Sequence, residues 1–483
     1  MARLVIVSNR VALPTDRAAR AGGLAVAMQE ALREHESVWF GWSGELAEQP
    51  SSAPTTLVAD NITYVTVDLS RKDYQDYYVG HANGALWPLL HYRLGLVSYS
   101  RAAFDGYMRV NAYFATMLKP ILRPGDLIWV HDYHLIPLAS ELRRLGVTDR
   151  IGFFLHTPFP ARQLLETLPR HGALLQALAA YDLVGFQTEE SARAFQDSIV
   201  EIAHGTWFDD GTFALGARRA RVAAFPIGID TEGFARMAER AARGRDTRRL
   251  AESMGQRALI IGVDRLDYSK GIANRFEAID SLLAEHPEHR GRFSYLQITP
   301  VSRGEVAQYR TLRRELEAAS GAINGKFAEY DWTPLRYLNK SFSRSVLAGF
   351  YRIARIGLVT PLRDGMNLVA KEFVAAQDAE DPGILVLSRF AGAAQELQTA
   401  LQVNPYEVDD IAGALHRALG MSREERRARW RRMMDVISRN TAATWQAAFL
   451  AALRESGPSA RPGSLVAAAR RLGESGLYGV RPS

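Results

Sequence analysis

The segment Arg355-Ile-Gly-Leu-Val-Thr-Pro-Leu-Arg-Asp364-Gly365-Met366-Asn367-Leu368-Val369-Ala370-Lys371-Glu372 passes from a short apolar run through a polar turn into helix formers. Ile356 to Val359 lack helical spacing and read as a strand, Leu368 to Gln377 read as a helix, and Asp364-Gly365 falls at the turn. In an open α/β sheet, ligands gather at the carboxyl ends of the strands, where the unpaired N–H groups that open the next helix favour oxyanions. There Asp364 would meet sugar hydroxyls, the amides after Asn367 would meet phosphate or hydroxyl oxygens, and Glu372, one turn further on, would reach a ribose. An Asp-Gly turn with Asn367 as helix N-cap accounts for the same residues without any ligand.

Working outward, the same pattern recurs. Leu4 to Val7 is a buried-type run ending in Ser8-Asn9-Arg10, and Ala21-Gly22-Gly23-Leu24 then opens an amphipathic segment. Gly22 and Gly23 would let the backbone approach a phosphate or sugar, or simply make a turn. Asp126 to Val130 delivers His131-Asp132-Tyr133-His134, and Ile151 to Leu155 delivers His156. Between these lie Trp39 to Gly44, Tyr77-Tyr78 and Trp87-Pro88, read as loop aromatics that stack on sugar faces or as core. In the second half, Arg257 to Val263 leads to Arg265 and Lys270, which on one post-strand loop would grip a diphosphate or stay solvated. Phe293 to Ile298 leads to Arg303, and Gly383 to Ser388 adds a further strand.

A chain of 483 residues is too long for one core. We expect two α/β domains, 1–233 and 234–455, with the last helices packing back on the first domain and 456–483 as a flexible tail. No apolar run approaches the roughly 18 residues of a membrane helix, so no membrane partner and a cytoplasmic location are expected. The absence of cysteine excludes disulfides, thiolate metal sites and a thiol nucleophile. The net charge of +6 suits anionic small substrates. The densest basic run, Arg423 to Arg432, contains Glu424 and Glu425 and reads as a solvated helix face, so no nucleic-acid partner is expected.

Taken in order, Val7-Ser-Asn-Arg10, Ala21-Gly-Gly-Leu24, Gly41-Trp-Ser-Gly44, Trp129-Val-His-Asp132-Tyr-His134, Gly152-Phe-Phe-Leu-His156, Arg265-Leu-Asp-Tyr-Ser-Lys270-Gly271 and Thr360 to Glu372 resemble the trehalose-6-phosphate synthases. That family consists of retaining glycosyltransferases with two facing Rossmann-like domains, the GT-B architecture, and an active site in the interdomain cleft. The resemblance runs from Leu4 to about Leu453. It implies transfer of glucose from a nucleoside-diphosphate glucose, usually UDP-glucose, to glucose 6-phosphate. Carried over by residue, Arg10, Tyr78, Trp87, Asp132 and Arg303 would hold the acceptor, with the two arginines on its phosphate. Gly22, Gly23, His156 and Asp364 would surround the donor glucose, Arg265 and Lys270 its diphosphate, and the Leu368-Val369-Ala370-Lys371-Glu372 segment its phosphate and ribose. Phe342 would contact the base through its main chain, and Asp364, His156, Arg265 and Lys270 would form the catalytic set.

The loop after Val263 holds no Asp-X-Asp triplet, so neither a metal nor another cofactor is expected in the reaction. The family mechanism is thought to be front-face attack, with covalent attack by Asp364 the alternative. A homo-oligomer, dimer or tetramer, is also expected. A catalytically dead sugar-phosphate sensor on the same fold should lose charged site residues first, yet Arg10, Asp132, His156, Arg265, Lys270, Arg303, Asp364 and Glu372 are all present. A related transferase using a non-glucose donor or acceptor is disfavoured by the Trp87 and His156 motifs.

Overall fold

The structure is a computed structural model that describes residues 2–14, 36–300 and 307–456. Gly22, Gly23, Arg303 and the tail beyond Ser456 lie outside the described residues, so the expectations attached to them are not addressed by the coordinates.

Two sheets carry the molecule. The first has the spatial order Thr55–Ala59, Ile62–Ser70, Ser37–Ala47, Leu4–Arg10, Leu127–His131, Arg150–Phe154, Leu183–Phe186, Arg218–Ala224, Thr212–Leu215 and Thr206–Trp207. Its six central pairings, from Ile62–Ser70 to Arg218–Ala224, are parallel, and only the hairpins at the two edges are antiparallel. The second sheet is parallel throughout, in the order Leu335–Leu338, Phe293–Ile298, Ala258–Val263, Ile356–Val359, Ile384–Ser388 and Leu401–Val403. Strands covered on both faces need apolar residues at every position, and this is why the runs Leu4 to Val7 and Ile384 to Leu387 do not alternate.

The core clusters follow this layering. Val5, Val7, Ile128 and Val130 point to one face of the first sheet, while Leu4, Ile6 and Trp129 point to the other. The second of these faces joins a single cluster with Leu259, Ile261 and Val359 of the second sheet through Ile227, Ile229 and Phe234. Helix Ala442–Glu455 closes it. The Phe449 ring stacks on Trp129 at 4.5 Å and 12°, and a Cβ added at Gly152 or Gly185 would lie 2.8 Å from that ring. Glycine in these two strands therefore lets the last helix lie against the first sheet.

The aromatics expected in loops sit in regular structure. Trp39 and Trp42 belong to strand Ser37–Ala47, with Trp39 Nε1 donating to Ser8 Oγ at 2.8 Å and Trp42 Nε1 to the Glu45 carbonyl at 2.7 Å. Tyr77 and Tyr78 lie in a wide, π-type helix, Tyr74–Leu86, which runs straight into the short helix Trp87–Leu90. Wide helical turns of this kind cluster at functional sites, and this one is much longer than the usual single turn. Among the described residues, no helix is long and apolar enough to cross a membrane.

Candidate active site

The two sheets present their carboxyl edges to a shared cleft, and the polar residues that follow the strands meet there. After Ile356–Val359 the chain turns through Asp364, which pairs in a one-residue bridge with Ala391 and donates its N–H to the Phe390 carbonyl at 3.1 Å. Lys270, at the end of the loop after Ala258–Val263, sets Nζ 2.6 Å from Asp364 Oδ2, and Asn367 Nδ2 donates to the same oxygen at 3.1 Å. Burial pushes the Asp364 carboxyl up, but Lys270, together with His91 and Asn367, outweighs it and holds the group below the ordinary carboxylate range. Asp364 is thus an anion already matched to a cation before any ligand arrives.

Asn367 caps helix Leu368–Ala376 from a left-handed backbone position, φ 81°, accepting the Ala370 N–H at 3.3 Å. The helix-cap reading of this segment holds, and the same residue stands beside Asp364. Since the cap occupies the Ala370 N–H, the amides of Leu368 and Val369 form the open end of the helix. Lys371 turns away from the cleft. Its fully buried ammonium donates to the Ile227 carbonyl at 2.7 Å and pairs with Glu396 at 2.5 Å, so its side chain links the two halves. Glu372 is paired with Arg344 at 3.1 Å, and burial pushes its carboxyl up. Phe342 is half-buried against Phe350.

From the first sheet, Asp132 follows Leu127–His131 with φ 75°, a strained value for a residue with a side chain. Its Oδ1 accepts the His156 N–H at 3.3 Å. His156, expected among the catalytic residues, has its ring turned into the protein. Nε2 lies 3.0 Å from His131 Nδ1, and Nδ1 lies 3.4 Å from Gln187 Nε2. Burial lowers the ring to about 3, so it is a neutral imidazole near pH 7. The His156 backbone meets the Asp364 loop: a Cβ at Gly365 would collide with the His156 carbonyl oxygen, so the two loops touch only because residue 365 is glycine.

Trp87 is buried and reaches across the cleft, with Nε1 3.4 Å from Asp267 Oδ1, and the exposed Arg265 guanidinium lies 5.8 Å over its ring. Tyr78 stacks on His134 at 5.7 Å and 11°. Arg10 is exposed and lies against Gly44, where an added Cβ would come within 2.7 Å of its guanidinium.

Two further arginines shape the site. Arg275, fully buried in helix Ile272–Glu285, donates to Thr360 Oγ1 at 2.9 Å, Asp264 Oδ2 at 2.5 Å, Gln297 Oε1 at 3.2 Å and the Lys270 carbonyl at 2.9 Å. It therefore ties the Lys270 loop to the Asp364 loop. Arg363 crosses between the halves, lying 3.8 Å over the Tyr92 ring and pairing with Glu190 at 3.2 Å. Neither was singled out from sequence, where an arginine in Ile-Ala-Asn-Arg-Phe carries no mark of burial.

The buried imidazoles predict an acid response. Burial lowers His81 and His91 to about 4 and His156 to about 3, against about 6.5 in an unfolded chain. Below about pH 6.5 the unfolded state binds more protons than the folded one, so stability falls with pH until the folded rings protonate. The melting temperature at about pH 5 should lie well below that at about pH 7.5. Equal values would place these rings in a more polar setting.

Facing Rossmann-like sheets, with a carboxylate and cations where their carboxyl edges meet, define a glycosyltransferase of the GT-B class. The family model for glycosyltransferase family 20 matches residues 3–455, and the chain belongs to that family. The trehalose-6-phosphate synthase of Cronobacter sakazakii is 48% identical over 462 residues, 95% of this chain and 96% of the relative. An α,α-trehalose-phosphate synthase (UDP-forming) from Burkholderia xenovorans, solved in complex with glucose-6-phosphate, is similar at 49% identity and a TM-score of 0.90, covering 94% of this chain and 100% of that one. A structure from E. coli bound with UDP-2-fluoro glucose is similar at 46% identity and a TM-score of 0.90, covering 95% and 100%.

Proposed function

We propose that this glycosyltransferase moves glucose from UDP-glucose to glucose 6-phosphate and releases α,α-trehalose 6-phosphate, with retention at the donor carbon and without a metal. The observation that carries this reading is the Lys270–Asp364 pair, 2.6 Å apart at the edge of the second sheet, facing the Asp132–His156 loops of the first. Relatives that share nearly half the sequence bind a UDP-glucose analogue and glucose 6-phosphate.

In this reading residues 1–233 bind the acceptor and 234–455 the nucleotide sugar. Asp364 accepts hydrogen bonds from the donor glucose, held by Lys270 and Asn367 in one orientation. As the glycosidic bond lengthens, the sugar becomes cation-like and the diphosphate gains charge. Lys270 and Arg265 stabilise that charge more in the transition state than in the ground state. The leaving phosphate oxygen takes the acceptor's proton on the same face. Leu368 and Val369 amides meet phosphate oxygens, Glu372 the ribose, and the Phe342 main chain the base. Arg10 and Arg303 bind the acceptor phosphate, with Tyr78, Trp87 and Asp132 around its sugar and Gly22-Gly23 close to the donor. A cytoplasmic homo-oligomer belongs to the same reading.

The acceptor side gives the test. Glucose 6-phosphate should support UDP release from UDP-glucose far better than glucose does, because the two arginines have no partner on glucose. Equal rates would remove the phosphate from the specificity. Arg303→Ala should raise the KM for glucose 6-phosphate much more than that for UDP-glucose, and equal changes would take Arg303 off the acceptor phosphate.

A further inference from the structure

The edge of the second sheet opposite the cleft carries a cluster of imidazoles that the reaction does not use. Helix Ile272–Glu285 begins beside Lys270 and runs back along the sheet for 14 residues, about 21 Å. It ends at His286, and a single turn, Pro287–His289, leads into strand Phe293–Ile298. Helix Val408–Leu419 packs beside it and brings His416, in its last turn, to the same spot.

Four side chains converge there. His286 Nδ1 lies 3.1 Å from Glu288 Oε1, His416 Nδ1 lies 4.0 Å from that oxygen, and His289 Nε2 lies 2.9 Å from His416 Nδ1. The His286 and His416 rings are stacked at 3.8 Å. One ligand atom each from His286, Glu288 and His416 fall within 4.8 Å of one another, the one such group of three among the described residues. A tetrahedral cation with bonds of about 2.0–2.2 Å to imidazole nitrogen and carboxylate oxygen holds its ligand atoms about 3.3–3.6 Å apart. The separations here bracket that value. Nitrogen donors with one carboxylate favour zinc-class cations over magnesium or calcium, which take oxygen sets.

We propose that His286, Glu288 and His416 bind one zinc-class cation, with His289 within reach as a further imidazole, and that the ion pins the turn after helix Ile272–Glu285 to helix Val408–Leu419. The ion takes no part in glucosyl transfer, because it sits at the far end of the helix whose first turn adjoins Lys270. Its effect is on the stability of the second domain, since a cation that binds only the folded chain raises the melting temperature with concentration.

The test uses the full chain, stripped with chelator and then freed of it, with cobalt(II) as a spectroscopic probe. One equivalent of cobalt should give the visible absorption of a tetrahedral site, zinc should displace it, and magnesium should not. His286→Ala/His416→Ala should abolish the bands and the zinc-dependent rise in melting temperature while keeping wild-type kcat. The single variant His416→Gln, a milder change in a half-exposed position, should lose the bands as well. Absence of the bands in the wild-type chain, or their persistence in both variants, would overturn the proposal.

Discussion

Lys270→Ala should lower kcat by about 10²–10³-fold, the usual range for removing one donor aimed at developing charge, while the KM for the donor moves far less. The ammonium sits 2.6 Å from Asp364 and is itself nearly buried, so little water stands ready to replace it. Its loss acts twice. The departing diphosphate loses a fixed cation, and Asp364 loses the partner that offsets its burial, so the carboxyl rises from its depressed value. The acid limb of the rate profile should therefore move to higher pH in the variant, and Lys270→Arg should restore part of the rate. An unchanged kcat would end the role assigned to Lys270.

Arg275→Met should destabilise the protein by about 3–5 kcal/mol, because it leaves Asp264 buried without its cation. For a domain of this size that corresponds to a fall in melting temperature of about 6–20 °C. The guanidinium also fixes the Lys270 carbonyl and Thr360, so kcat should fall together with stability. Adding Asp264→Asn to Arg275→Met should recover part of the stability, since the uncompensated charge is then gone. A melting temperature unchanged in Arg275→Met would show that the buried pair is not what holds the two loops together.

The strands were legible because parallel strands buried on both faces must be continuous apolar runs, and Leu4 to Val7, Ile151 to Leu155 and Ile356 to Val359 are such runs. The polar residues after them were legible for the same topological reason, so Asp132, Lys270 and Asp364 stand where the pattern put them. Side-chain direction was not. Lys371 falls in the segment expected to meet the donor and Arg275 carries no mark in the sequence, yet both are fully buried, because each satisfies partners from segments far away in sequence. The His156 ring likewise faces His131, which only the pairing of Leu127–His131 with Arg150–Phe154 reveals. The helix Tyr74–Leu86 escaped the reading since its glycines and tyrosines carry no helical period of 3.6.

The most direct test of the central claim is product analysis with the purified chain, glucose 6-phosphate and, in parallel, UDP-, GDP- and ADP-glucose, each with and without EDTA. Trehalose 6-phosphate should form from UDP-glucose at an undiminished rate in chelator, as expected if Lys270 and Arg265 neutralise the leaving group unaided. Binding of glucose 6-phosphate with no disaccharide from any donor would contradict the account and make the chain a sugar-phosphate sensor.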